Sequence, residues 1–140
     1  MKKTHIAVLW FLVVSMFMLS SCVNTTTNDN LWKTATYTED TELGTGDKLI
    51  VVQVFAEDKS IDFRINTDCD ILCDALLEHG LIDGEEDQYG LYVKEVNGII
   101  ADYDINKSYW SLENNGEYMQ TGVSLTKIND GDHYEFIYTK

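Results

Sequence analysis

The sequence predicts an α+β fold, a β-grasp-like mixed sheet packed on one helix. Three observations lead there. From Tyr109 to Tyr138 aromatic and apolar residues alternate with polar ones, the period of half-buried strands. A single segment, Asp68 to His79, carries a helical apolar stripe of Ile71, Leu72, Ala75 and Leu76. The order of elements is strand, strand, helix, then several strands. An open α+β sandwich of other connectivity is the alternative.

The first 21 residues read as a lipoprotein signal peptide and leave the fold argument. Lys2 and Lys3 give a basic start, and Ile6 to Leu19 is apolar except for Ser15. Leu19-Ser20-Ser21-Cys22 matches a bacterial lipobox, whose small residues enter the peptidase and whose thiol accepts the lipid. The apolar run is short for a membrane span of roughly 20 residues. Cys22 is therefore the predicted lipidation site. The expected location is the extracytoplasmic face of the cell membrane, held by lipid chains without spanning it.

Residues 22–46 read as a lipid-anchored tether and irregular lead-in, with an edge strand expected around Thr34 to Thr38. Residues 47–140 form the predicted domain, long enough for one core and too short for two. Lys48 to Ala56 is nearly continuously apolar and β-branched, a strand expected to be covered on both faces. Glu57 to Ser60 turns the chain, and Ile61, Phe63 and Ile65 alternate toward the core to complete a hairpin. Thr67 is the expected cap of the helix, with Asp68 and Asp70 favoured in its first turn. Gly80 is its expected stop.

Asp83-Gly84-Glu85-Glu86-Asp87 is the densest acidic run. It lacks the alternating ligands and distant glutamate of an EF-hand, so it reads as a solvated loop. Tyr89 to Val96 is the next strand, Asn97-Gly98 a turn and Ile99 to Ala101 a short strand. Asp102 to Asn106 is a loop. Asn115-Gly116 is a strong hairpin signal, because a type I′ turn needs positive φ at both central residues. Asp130-Gly131 is a further tight turn before the last strand.

Removing Lys2 and Lys3 with the signal takes the formal charge from −14 to −16. Such a surface repels nucleic acid. It also repels anionic headgroups, so the domain is expected to stand off the membrane. Cys69 and Cys73 stand four apart in the predicted helix, with Cβ atoms about 6 Å apart. A disulfide there would be strained, so buried free thiols are expected. His5 lies in the signal, His79 ends the helix and His133 sits beside a turn, so no metal site is predicted. No nucleophile elbow, paired metal-ligand motif or phosphate loop is present. Asp102 and Asp104 are the nearest thing to an acid–base pair and read as solvated. No enzyme is predicted.

From Leu49 to Tyr138 the chain resembles the transcobalamin-like C-terminal domain family of bacterial surface proteins. The resemblance rests on Asp74-Ala75-Leu76-Leu77-Glu78 with Gly80-Leu81-Ile82, on Tyr89 to Val93, and on Val96-Asn97-Gly98-Ile99. It continues through Tyr109-Trp110, Asn115 to Tyr118, Thr121-Gly122-Val123, Asp130-Gly131-Asp132 and Tyr134-Glu135-Phe136. It implies a non-catalytic ligand-binding module, because the corresponding domain of cobalamin carriers closes over cobalamin held on a helical domain. The Tyr109-Trp110 pair and Gly122-Val123 resemble parts of that lid. Tyr109, Trp110 and Tyr118 would offer stacking faces and Asn115 a polar contact. A cobalamin-like ligand or another flat cofactor is the ligand class implied, and no cofactor is required. The alternative is a structural or protein-interaction module of the cell surface with no small-molecule ligand.

Overall fold

The β-branched run Lys48–Ala56 forms β2, and the turn at Glu57-Asp58 returns the chain as β3, Lys59–Thr67. The computed structural model describes residues 30–140. The signal segment, Cys22 and residues 23–29 lie outside the described residues. The other strands are β1 (Thr41–Gly44), β4 (Ile82–Asp87), β5 (Gly90–Val96), β6 (Ile99–Ile100), β7 (Tyr109–Asn114), β8 (Glu117–Tyr118) and β9 (His133–Thr139). Two short helices, α1 (Leu72–Leu77) and α2 (Tyr103–Asn106), accompany them.

Six strands make one mixed sheet in the order β1-β3-β2-β9-β7-β8. β9, last in sequence, enters between β2 and β7, parallel to the first and antiparallel to the second. Strands β4, β5 and β6 make a second, antiparallel sheet. The two sheets make a mixed α+β architecture, mostly strand.

The core lies on one side of the main sheet. Ile50, Val52, Val54 and Ala56 of β2 are buried with Ile61, Phe63 and Ile65 of β3 and Tyr134 and Phe136 of β9. Leu72, Ala75 and Leu76 of α1, and Ile82, Val96 and Ile99 of the second sheet, complete the cluster. The expectation that β2 is covered on both faces fails, since Phe55 is 40% exposed. The strand is central through its hydrogen-bonded neighbours, while the buried layer lies on one face alone.

Turn chemistry behaves as the sequence indicates. Asn97-Gly98 and Asn115-Gly116 both hold positive φ at each residue, as type I′ turns require. Gly80, at φ +60°, follows the end of α1, where Leu81 N–H donates to the Leu76 carbonyl.

Four local expectations need correction. The segment Asp102 to Asn106, expected as a loop, holds α2, whose N-cap Asp102 carboxylate accepts from Asp104 N–H. Helix α1 is shorter than Asp68 to His79, and its N-cap is Ile71 rather than Thr67. Tertiary pairing takes the missing turn: Ile71 bridges Lys127, Leu72 N–H donates to the Thr126 carbonyl and Ile128 N–H to the Asp70 carbonyl. Cys69 therefore lies outside the helix and is half-buried, and the shared helical face inferred for the cysteines does not exist. Both are free thiols, with Cys73 6% exposed.

The acidic run is strand β4, not a loop. It pairs with β5 through a bulge at Asp83/Gly84. A Cβ on Gly84 would stand 2.0 Å from the Tyr92 carbonyl oxygen, so only glycine allows this approach. β4 is an edge strand, where a row of charges discourages further strand pairing.

The edge strand expected at Thr34 to Thr38 falls instead at Thr41–Gly44, parallel to β3. The lead-in is folded onto the domain. Trp32 is buried and donates its indole N–H to the Ala56 carbonyl at 2.9 Å. Asn97 clamps Tyr37, accepting from its backbone N–H at 2.9 Å and donating to its carbonyl at 2.8 Å.

Candidate functional site

β5, β7 and the segment from Tyr118 to Val123 enclose a pocket of about 190 Å³ where the second sheet meets the main one. Its floor is Trp110, Leu112 and Phe136, from the core side of β7 and β9. Leu91, Tyr92 and Val93 of β5 form one wall. Tyr118, Met119, Gln120, Thr121, Gly122 and Val123 form the other. None of the lining side chains is charged.

Local hydrogen bonds fix these walls. The Ser124 hydroxyl accepts from Leu91 N–H at 2.9 Å, pinning the start of β5 to a 3-10 turn at Val123–Leu125. Gly90 permits this at φ +107°, because a Cβ there would stand 2.5 Å from that of Ser124. Met119 N–H donates to the Leu112 carbonyl, and Thr126 Oγ1 donates to the Gly122 carbonyl at 3.0 Å. Beneath the turn, burial pushes the Cys73 thiol pKa up, and the nearby Ser124 hydroxyl opposes this.

The predicted ligand residues divide. Trp110, Tyr118, Gly122 and Val123 come together at this pocket. Tyr109 does not, because adjacent strand residues point to opposite faces and Tyr109 stands on the outer one. Asn115 sits at the exposed hairpin tip, its amide donating to Asn114 Oδ1.

The aromatic residues also differ in role. Trp110 is 8% exposed, donates its indole N–H to the Ile99 carbonyl at 3.2 Å and meets Tyr138 edge-on at 5.5 Å. It is a structural floor that shows little surface. Tyr118, 69% exposed, and Tyr92, 45% exposed, are the exposed aromatic residues of the lining. Sequence reasoning missed Tyr92. Its strand was legible, but its place in the same lining as Tyr118 depends on how the second sheet folds over the first.

The pocket suits a flat apolar group or a ring edge. Its volume falls below the roughly 300–1,000 Å³ of pockets that bury drug-sized ligands. A corrin ring would lie across its mouth rather than inside. Among the described residues no group of three or more His, Cys, Asp or Glu is placed to hold a metal ion. No helix among them is long and apolar enough to cross a membrane.

Comparison with known proteins places this geometry. Among curated proteins none matches the chain. A proposed metal-binding protein from Ruminococcus gnavus is 32% identical in its crystal structure. The match has a TM-score of 0.64 and covers 67% of this chain and 98% of that one. Haptocorrin in complex with Cbi matches with a TM-score of 0.55 at 17% identity, over 70% of this chain. The chain spans only 26% of haptocorrin, and the likeness is one of fold. It supports the transcobalamin-like relationship at that level. Residues 70–140 match the family described as a domain of unknown function, DUF4430, and the chain belongs to that family.

Proposed function

We propose that this protein is a membrane-anchored surface lipoprotein whose domain binds a ligand without transforming it. The observation that carries the binding role is the uncharged pocket lined by Tyr92 and Tyr118. Two exposed tyrosines, Tyr92 and Tyr118, are among the residues around a fixed apolar floor, and rigid aromatic surfaces favour planar groups. The fold shared with haptocorrin in complex with Cbi supports a corrinoid as the first ligand to try. The small volume makes this a half-site, holding one edge of a large flat ligand while a second surface covers the rest.

The anchor rests on Lys2, Lys3, the apolar run and Leu19-Ser20-Ser21-Cys22. The order β3-β2-β9-β7-β8, with α1 on the buried side, supports the β-grasp-like reading of the main sheet. A protein-interaction module is the second reading. The same pocket volume favours it, since one apolar side chain of a partner fills such a space.

Calorimetric titration of the full-length chain with hydroxocobalamin and Cbi tests the proposal. The expected result is saturable binding, weakened about threefold to tenfold by Tyr118→Ala through lost stacking of about 0.5–1.5 kcal/mol. Absence of saturable heat with both ligands would overturn the corrinoid reading and leave the interaction module.

A further inference from the structure

The domain has two unlike poles. The described chain begins at Asn30, which lies with Trp32 and Lys59 at the β2–β3 turn and with Leu31 and Ile100 beside the second sheet. β2 runs parallel to β9, and Tyr109 at the start of β7 pairs with Thr139 at the end of β9. The ends of β2 and β9, the start of β7 and the preceding helix α2 therefore share the pole where the chain enters. Asn106 of α2 reaches the Tyr138 hydroxyl at 3.5 Å.

Among the described residues, half of the exposed large apolar ones lie at this pole. Ile105 is 81% exposed, and Ile100, Tyr103, Tyr109 and Phe55 are exposed around it. Lys107 lies over the Tyr103 ring, its Nζ 4.7 Å from the centroid. Charge is distributed in the same sense. Lys33, Lys59, Lys94, Lys107 and Lys140 stand here against Glu39, Glu57, Asp58, Asp83, Glu85, Glu95, Asp102 and Asp104. Asp102 is also paired with Lys94 at 3.2 Å. The rest of the described chain carries three bases against fifteen acids. An anionic surface repels every other side of the domain more strongly than this one.

We infer that the pole around Asn30 is a lipid-contacting surface. Tyr103, Ile105 and Ile100 seat in the headgroup region, and the acidic pole faces away. The inference rests on the lipoprotein reading, and the length of chain outside the structure supports it. Seven residues, and so eight Cα–Cα steps, separate Cys22 from Asn30. Fully extended they reach about 28 Å, and as a flexible coil about 16 Å. A domain of about 100 residues has a radius of gyration near 13 Å, so this tether is short beside the domain. It holds the entry pole, not the opposite one, at the bilayer. Tyrosine and lysine suit that interface, because each has an apolar body and a polar tip. The orientation leaves Tyr118, at the far end of β7, open to ligand from outside.

The test uses full-length chain purified from membranes and reconstituted in phosphatidylethanolamine/phosphatidylglycerol vesicles containing a nitroxide-bearing lipid. An environment-sensitive fluorophore is placed by Ile105→Cys or by Asn115→Cys, each with Cys69→Ser. The expected result is several-fold stronger quenching and a blue shift at position 105, and neither at 115. Adding Tyr103→Asp to the position-105 variant should reduce the quenching, and both sites are exposed enough for the fold to persist. Equal quenching at 105 and 115, or stronger quenching at 115, would overturn the orientation while leaving the anchor intact. A blue shift at 105 without lipid quenching, seen only with a copurifying protein, would overturn it in favour of a protein partner. A mass spectrum without acyl chains on Cys22 would overturn the anchor, and this inference with it.

Discussion

Replacing Trp110 and replacing Tyr118 should have opposite consequences, although both line the same pocket. Trp110 is almost wholly buried and its indole N–H satisfies the Ile99 carbonyl, tying β7 to the second sheet. Trp110→Phe keeps much of the ring but leaves that carbonyl without its donor. An unsatisfied buried acceptor costs about 1–3 kcal/mol. Trp110→Ala adds a cavity, for a total of about 3–5 kcal/mol. Against the roughly 5–15 kcal/mol that holds a domain folded, the alanine variant loses a large share of its stability. Tyr118 is mostly exposed at a two-residue edge strand, so Tyr118→Ala should change stability by no more than about 0.5 kcal/mol. Urea denaturation followed by far-ultraviolet circular dichroism reads these differences. With a slope of about 1–3 kcal/mol per molar, Trp110→Phe should move the midpoint down by up to about 1–2 M. Tyr118→Ala should leave it nearly in place. A Trp110→Phe midpoint equal to wild type would refute the structural role of the indole bond. A Tyr118→Ala midpoint as low as that of Trp110→Ala would show that the exposed ring is structural after all. The practical consequence is that loss of ligand affinity in Trp110→Ala says nothing about contact, whereas the same loss in Tyr118→Ala does.

Asn97→Ala should destabilise by about 2–4 kcal/mol, measured in the same unfolding experiment. It strips both bonds that hold Tyr37 and puts a Cβ-bearing residue without local hydrogen bonding at φ +53°. A cost below about 1 kcal/mol would mean that the lead-in is not clamped there. Acid unfolding should depend on Asp102. Its carboxyl is held below the usual carboxylate range by the Lys94 ammonium and then by the Asp104 backbone N–H. Because the folded value is the lower one, its stabilisation is full above the unfolded pKa of about 3.9 and disappears as pH falls through the folded value. Asp102→Asn should flatten the stability profile in that window, and an unchanged profile would contradict the assignment. Maleimide should modify Cys69 in the native protein and Cys73 only after unfolding, since burial hides that thiol and raises its pKa. Equal rates at the two positions, followed by mass spectrometry, would contradict the structure around α1.

Local signals carried much of this fold. Asn97-Gly98 and Asn115-Gly116 were legible because positive φ is a property of the residues themselves. Ile61, Phe63 and Ile65 were legible because the strand period is two and one face is dry. The failures have a common cause in pairing between distant segments. The chain before Leu72 suits a helix by composition, but its backbone groups bond to Thr126 and Ile128, more than fifty residues away. Charge suggested a loop at Asp83 to Asp87, whereas the run is an edge strand whose acids face water and whose bulge depends on Gly84. The same limit applies to the pocket. Trp110, Tyr118, Gly122 and Val123 are close in sequence and could be grouped. The parity that sends Tyr109 outward was available in the strand period and was outweighed by its adjacency to Trp110. Tyr92 required the placement of a whole sheet.

The most direct test of the central claim is the calorimetric comparison of wild type with Tyr118→Ala, using hydroxocobalamin. A saturable isotherm for wild type, weakened about threefold to tenfold in a Tyr118→Ala protein of unchanged stability, is the predicted result. A flat wild-type isotherm, or equal affinity in the two proteins, would contradict ligand binding at the Tyr92–Tyr118 pocket.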